Sequence, residues 1–85
     1  MANRFYVYLL RCCDGTFYAG ATRDLEERVK LHNAGRGAKY TSGRRPVHLV
    51  YAEEQASWGD ALRRECEIKR WSRARKATLV SKQPG

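Results

Sequence analysis

The hydrophobic pattern opens with a period of two. Residues 4–12 are dense in aliphatic and aromatic side chains, Asp14-Gly15 is a turn dipeptide, and Thr16 to Ala21 returns, which together predict a β-hairpin. A two-residue turn would set Tyr8 opposite Ala21 and Tyr18 opposite Arg11, with the two rings on opposite faces. A three-residue turn, Cys13-Asp14-Gly15 with Gly15 left-handed, sets Tyr8 opposite Gly20 and Tyr18 opposite Leu10. Both rings then share one face, and Phe5, Val7, Leu9, Phe17 and Ala19 gather on the other. That second register gives the cleaner core surface and is the expectation.

At Asp24 the period lengthens to that of a helix. Asp24 with Glu27 three residues on reads as a capping box, and Leu25, Arg28, Val29 and His32 then fall on one helical face. Arg28 and His32 therefore lie beside the apolar stripe. Residues 33–43 hold three glycines together with Lys39, Tyr40, Thr41 and Ser42, which predicts a loop or short helix able to approach a ligand closely. Pro46 opens an extended run, Val47 to Ala52, that fits a third strand. Ser57 and Asp60 repeat the capping spacing, so a helix is expected from about Trp58 to Trp71, with Trp58, Ala61, Leu62, Cys66 and Ile68 as its apolar stripe and Glu65 at the centre. Ser72 to Lys82 predicts a short last helix. The elements amount to an α/β fold without repeats, linkers or low-complexity tracts.

Eighty-five residues allow one small domain spanning 1–85, with a core of about 4–80. The chain has no apolar run long enough to cross a bilayer and no export pattern at its start, so a cytoplasmic location is expected. Three cysteines without a C-x-x-C pair argue against zinc and disulfides. Seventeen Lys plus Arg against nine Asp plus Glu give a net charge of +8, typical of chains that meet a polyanion.

Several side chains suggest chemistry, each with a plainer alternative. An ionised Glu65 on a core-facing stripe costs several kcal/mol unless a cation or metal offsets it; an ordinary pair with Lys69, worth about 0.5 kcal/mol when exposed, explains it equally well. Tyr8 and Tyr18 taken alone are ordinary strand aromatics. Arg28 can cover Leu25 with its stem, and His32 can sit at a core edge. The plain readings weaken jointly, because all five groups can converge without breaking either periodicity. Trp58 and Trp71 read as packing anchors rather than base-stacking platforms. Lys69, Arg70, Arg73, Arg75 and Lys76, with Lys39, Arg44 and Arg45 from the glycine-rich stretch, are candidates for phosphate contacts.

Tyr6-Val7-Tyr8, Tyr18-Ala19-Gly20, Arg28, His32, the Gly35-x-Gly37-Ala38-Lys39-Tyr40-Thr41 stretch and Glu65 occur in one order and spacing that closely resembles the GIY-YIG nuclease domain. The likeness is to its small single-domain members and covers residues 4 to 80. Tyr6, Val7 and Ala19 depart from the three-letter motifs, while both tyrosines and Gly20 are kept. The resemblance implies a three-stranded antiparallel sheet flanked by helices and divalent-metal-dependent cleavage of phosphodiesters. Carried onto these positions, Glu65 holds a single Mg²⁺ or Mn²⁺, Arg28 clamps the phosphate, and Tyr8 is the general base, with Tyr18 and His32 orienting water or phosphate and His32 or Tyr40 able to share the base role. An unperturbed phenol titrates near ~10, so Tyr8 needs neighbouring cations to favour phenolate. The implied partner is DNA, including single-stranded or branched forms, with RNA a weaker candidate. The alternative function is a nucleic-acid-binding module of the same fold without catalysis.

Overall fold

The computed structural model describes residues 4–82. Its elements run β1 (Phe5–Arg11), β2 (Phe17–Thr22), α1 (Leu25–Asn33), α2 (Lys39–Ser42), β3 (His48–Gln55), α3 (Trp58–Lys69) and α4 (Arg73–Ser81). The strands form one antiparallel sheet in the order β2-β1-β3, so β1 lies at the centre.

The hairpin takes the bulged register. Tyr8 pairs with Gly20 and Leu10 with Tyr18. The turn closes through Cys12 and Thr16, and Gly15 adopts φ +83°, a left-handed conformation that suits glycine. Asp14 braces the turn by accepting from both the N–H and the hydroxyl of Thr16.

Alternation then sorts β1 between two cores. Val7 and Leu9, with Ala19 of β2, pack against Ala61 and Ile68 of α3, flanked by Phe5, Phe17, Trp71, Leu79 and Val80. Tyr8, Leu10 and Cys12 point the other way, with Val47, Tyr18, Leu25 and Val29 around them. A bulge in β3 opposite Leu9 and Leu10 inserts Val50, so Val50 and Tyr51 both join the α3 side. β3 extends to Gln55, beyond the predicted Ala52, and Pro46 precedes the strand rather than opening it.

The caps differ from expectation in one respect. Asp24 accepts from the Glu27 N–H as predicted, but the Asp24 N–H is held by the Thr22 hydroxyl, so the box closes through Thr22 and not through the Glu27 carboxylate. Ser57 caps α3 and Ser72 caps α4. The buried line of α3 also corrects the predicted stripe. It runs through Ala61 and Ile68, while Leu62 (42% exposed) and Cys66 lie off that line and face outward. Glu65 therefore lies on the flank of the buried face, not at its centre.

Asn33 ties the end of α1 to the start of β3. Its side chain accepts from the Val47 N–H at 2.7 Å and donates to the Val47 carbonyl at 3.0 Å. Arg45 closes the intervening loop by donating to the carbonyls of Ser42 and Asn33. These bonds hold α2 against α1.

Candidate active site

The site begins at a buried phenol. Tyr8 is 2% exposed, and its ring lies against Gly20, where a Cβ would come within 2.3 Å of the phenolic oxygen. Only glycine leaves that space. From α1, the buried His32 brings Nε2 to 3.1 Å from the Tyr8 Oη. The other imidazole nitrogen, Nδ1, lies 2.8 Å from Oγ1 of the fully buried Thr41 in α2, whose hydroxyl donates to the Ala38 carbonyl at 3.0 Å. Gly37 closes over the same nitrogen, with a Cβ there falling 2.2 Å from it.

Tyr18 completes an aromatic wall. Its ring sits 5.2 Å from His32 and stacks on Tyr40 at 5.9 Å with 28° between planes. Arg44 covers the outer face of that stack, 4.1 Å from the Tyr40 centroid, and is itself held by the Tyr40 carbonyl and by Asp14. The Lys69 ammonium lies 5.6 Å from the Tyr18 centroid. Glu65, 20% exposed at its side chain, pairs with Lys69 at 3.5 Å. The expected ion pair and the expected place at the site thus coexist, since Lys69 is itself part of the wall.

Electrostatics bind the group together. Burial pushes the Tyr8 phenol up, Tyr18 and Glu65 add to the rise, and Arg28 opposes it without prevailing. The condition that neighbouring cations favour phenolate is not met: desolvation outweighs Arg28, and Tyr8 keeps its proton. The His32 imidazole is held below its usual range, first by burial and then by the nearby Arg28 cation, so it is neutral at pH 7.

A metal would find one protein ligand here. Among the described residues no group of three His, Cys, Asp or Glu side chains could enclose a cation. Glu65 fits the remaining possibility, because a partly hydrated carboxylate suits a hard ion such as Mg²⁺ or Mn²⁺ that keeps most of its water shell.

The predicted phosphate contacts divide. Arg73 and Lys76 join Thr16, Phe17 and Tyr40 around a cleft of about 140 Å³ beside the aromatic wall. Arg75 instead stacks on Trp71 at 4.1 Å, with Arg64 at 5.1 Å from the same ring, and belongs to a separate surface. Arg45 is engaged with loop carbonyls, while Lys39 and Arg70 are exposed. Trp58 is 38% exposed and forms, with Arg23 and Arg28, part of a cleft of about 450 Å³, so it is a weaker packing anchor than its sequence position suggested. Sequence reasoning gave Thr22 no part and named Thr41 only within the Gly35–Thr41 stretch, without a role of its own. No periodicity or charge signal marks a threonine whose value lies in one hydroxyl.

The sequence matches the GIY-YIG catalytic domain family over residues 4–78. The chain belongs to the GIY-YIG family. It is similar to a UPF0213 protein of Staphylococcus aureus, 47% identical over 78 residues that make up 92% of this chain and 95% of the relative. The solution NMR structure of a UPF0213 protein from Bacillus halodurans superposes with a TM-score of 0.61 at 46% identity, covering 96% of this chain and 87% of that one. A second NMR structure, of an E. faecalis protein, gives a TM-score of 0.63 at 36% identity over 94% and 85% of the two chains. Membership places the protein in a nuclease family, with nucleic acid as the general partner and divalent cations as the general cofactor of its kind. No helix among the described residues is long and apolar enough to cross a membrane.

Proposed function

We propose that the protein is an endonuclease that hydrolyses DNA phosphodiester bonds with one Mg²⁺ or Mn²⁺ held by Glu65, favouring branched or single-stranded forms. The observation that carries this reading is the buried Tyr8 phenol bonded to a neutral imidazole, with Arg28 and Glu65 both acting on it electrostatically. A salt-bridged structural cluster has no need of a desolvated phenol that faces an uncharged base.

Arg28 binds the scissile phosphate and offsets its growing charge, a task for which a planar donor fork is well shaped. Tyr8 takes the proton of the attacking water, backed by its bond to the buried His32, and Tyr18 holds water and phosphate in line. When bound, the cation polarises the phosphate and stabilises the leaving oxygen. Lys69, Arg73 and Lys76 carry the flanking backbone along the aromatic wall, and cleavage of such forms suits a cytoplasmic role in DNA repair or recombination.

The test is incubation of wild type and Glu65→Gln with linear, flapped, single-stranded and supercoiled DNA, with and without Mg²⁺. Metal-dependent nicking by wild type that Glu65→Gln abolishes, with salt-sensitive binding retained, is the expected result. Equal nicking by both proteins would remove Glu65 from the metal role. Binding without cleavage of any substrate would leave a nucleic-acid-binding module.

A further inference from the structure

We propose that Thr41 is a positioning residue that fixes His32 in the Nδ1–H tautomer, leaving the Nε2 lone pair as the acceptor for the Tyr8 phenolic proton. The role assigned to that acceptor rests on the nuclease reading above; the tautomer itself does not.

Both ends of the chain of hydrogen bonds require the same direction. The Thr41 hydroxyl has one proton and lies 3.0 Å from the Ala38 carbonyl, which can only accept. That proton is committed to the carbonyl, so toward His32 Nδ1, 2.8 Å away, Oγ1 offers a lone pair and the imidazole must donate. At the other end, Tyr8 is almost wholly buried and His32 Nε2 is the hydrogen-bond partner within reach of its hydroxyl. The reverse tautomer would strand the phenolic proton in the interior, an uncompensated polar burial, and would set a Thr41 lone pair against the Ala38 carbonyl, which already accepts from the Thr41 and Ser42 N–H groups. Gly37 pressed against Nδ1 keeps the ring from turning to escape.

The arrangement answers the difficulty that burial creates for Tyr8. As water attacks phosphorus, its O–H proton passes to the Tyr8 oxygen while the phenolic proton passes to His32 Nε2. The P–O bond to the leaving oxygen breaks as the new one forms, and the leaving oxygen takes a proton from solvent. Tyr8 never stands as a free phenolate, and His32 ends as the imidazolium, which later returns its proton to water. Thr41 touches none of the reacting atoms; it sets which nitrogen is ready.

Long-range ¹H–¹⁵N correlation of the imidazoles in the full chain reads the tautomer directly, with the exposed His48 as an internal reference. Wild type is expected to show His32 protonated at Nδ1 and bare at Nε2. Thr41→Val should lose that single signature and nick at least tenfold more slowly, whereas Thr41→Ser should restore both. Tyr8→Phe should keep the Nδ1–H signature, since the bond from Nδ1 to Thr41 remains. A wild-type His32 protonated at Nε2, or a signature that survives Thr41→Val or switches in Tyr8→Phe, would overturn the proposal. If Thr41→Val does not fold, the wild-type, Thr41→Ser and Tyr8→Phe spectra still decide. The predicted signatures in a protein that cleaves no DNA would uphold the hydrogen-bond assignment and refute the nuclease reading.

Discussion

Replacing Gly20 with alanine tests whether the phenol is as tightly enclosed as the geometry implies. The new methyl carbon would sit 2.3 Å from Tyr8 Oη, 2.4 Å from Cζ and 2.9 Å from Cε2. Ordinary carbon contacts lie near ~3.5–4.0 Å, so the ring must move by about 1 Å or more. Tyr8 has little room, being buried in the sheet's central strand. Overpacking of this kind costs about 1–3 kcal/mol, and disturbing the bond to His32 adds about 1 kcal/mol. Restricting the unfolded chain returns about 0.4–1 kcal/mol, since Gly20 is not in the left-handed region. The net expectation is a loss of about 1–3.5 kcal/mol, or roughly 5–25 °C in Tm for a domain of this size. Urea titration followed by the fluorescence of Trp58 and Trp71 measures it, with Gly43→Ala as the reference, because a Cβ at Gly43 meets nothing within 4 Å. Equal stabilities of the two variants would refute the packing argument.

The caps give a second prediction: Asp24→Ala should cost about 1 kcal/mol and Glu27→Ala close to nothing, since Thr22 rather than Glu27 satisfies the Asp24 N–H. A larger loss for Glu27→Ala in urea unfolding would count against that bonding. Acidification should destabilise the fold through His32. Its native pKa is depressed, so the unfolded chain binds the proton first; stability is full above about 6.5 and falls with pH, by at most about 1.4 kcal/mol per unit for one group, until the native imidazole protonates. Urea midpoints between pH 7.5 and 5 should show this slope in wild type and lack it in His32→Gln; an unchanged slope would acquit His32. Reversing charge at Arg73 and Lys76 together should flatten the salt dependence of duplex binding by about 1.8 in log–log slope, or about 0.9 per phosphate lost, and Arg75→Glu should leave it nearly unchanged. Equal effects of the two changes would mean that the Trp71 surface also meets DNA.

The hairpin was legible because a period of two and one glycine turn admit few registers, and only one of them gave a coherent core. The face of α1 was legible for the same reason, since the Asp24 cap fixed the phase of the helix. The face of α3 was not. Its apolar residues spread over too wide an arc to choose a centre, and the sheet selected the line through the small Ala61 and Ile68, leaving Leu62 and Cys66 outside. The basic cluster divided because the turn from α3 into α4 sends Arg75 to Trp71 and Arg73 to Phe17, a separation that a list of charges cannot express. The state of Tyr8 depended on a balance between desolvation and Arg28 that only the fold sets.

β1 sends Val7 and Leu9 into one core and Tyr8 and Leu10 into the other. The phenol proposed as the base is therefore masonry as well. A lineage that discards the reaction must rebuild the keystone of its own sheet, so foldability alone can preserve the ring after the chemistry has lost its use. Novelty comes most easily at the rim, where the exposed Arg73 and the half-buried Lys76 stand beside the aromatic wall.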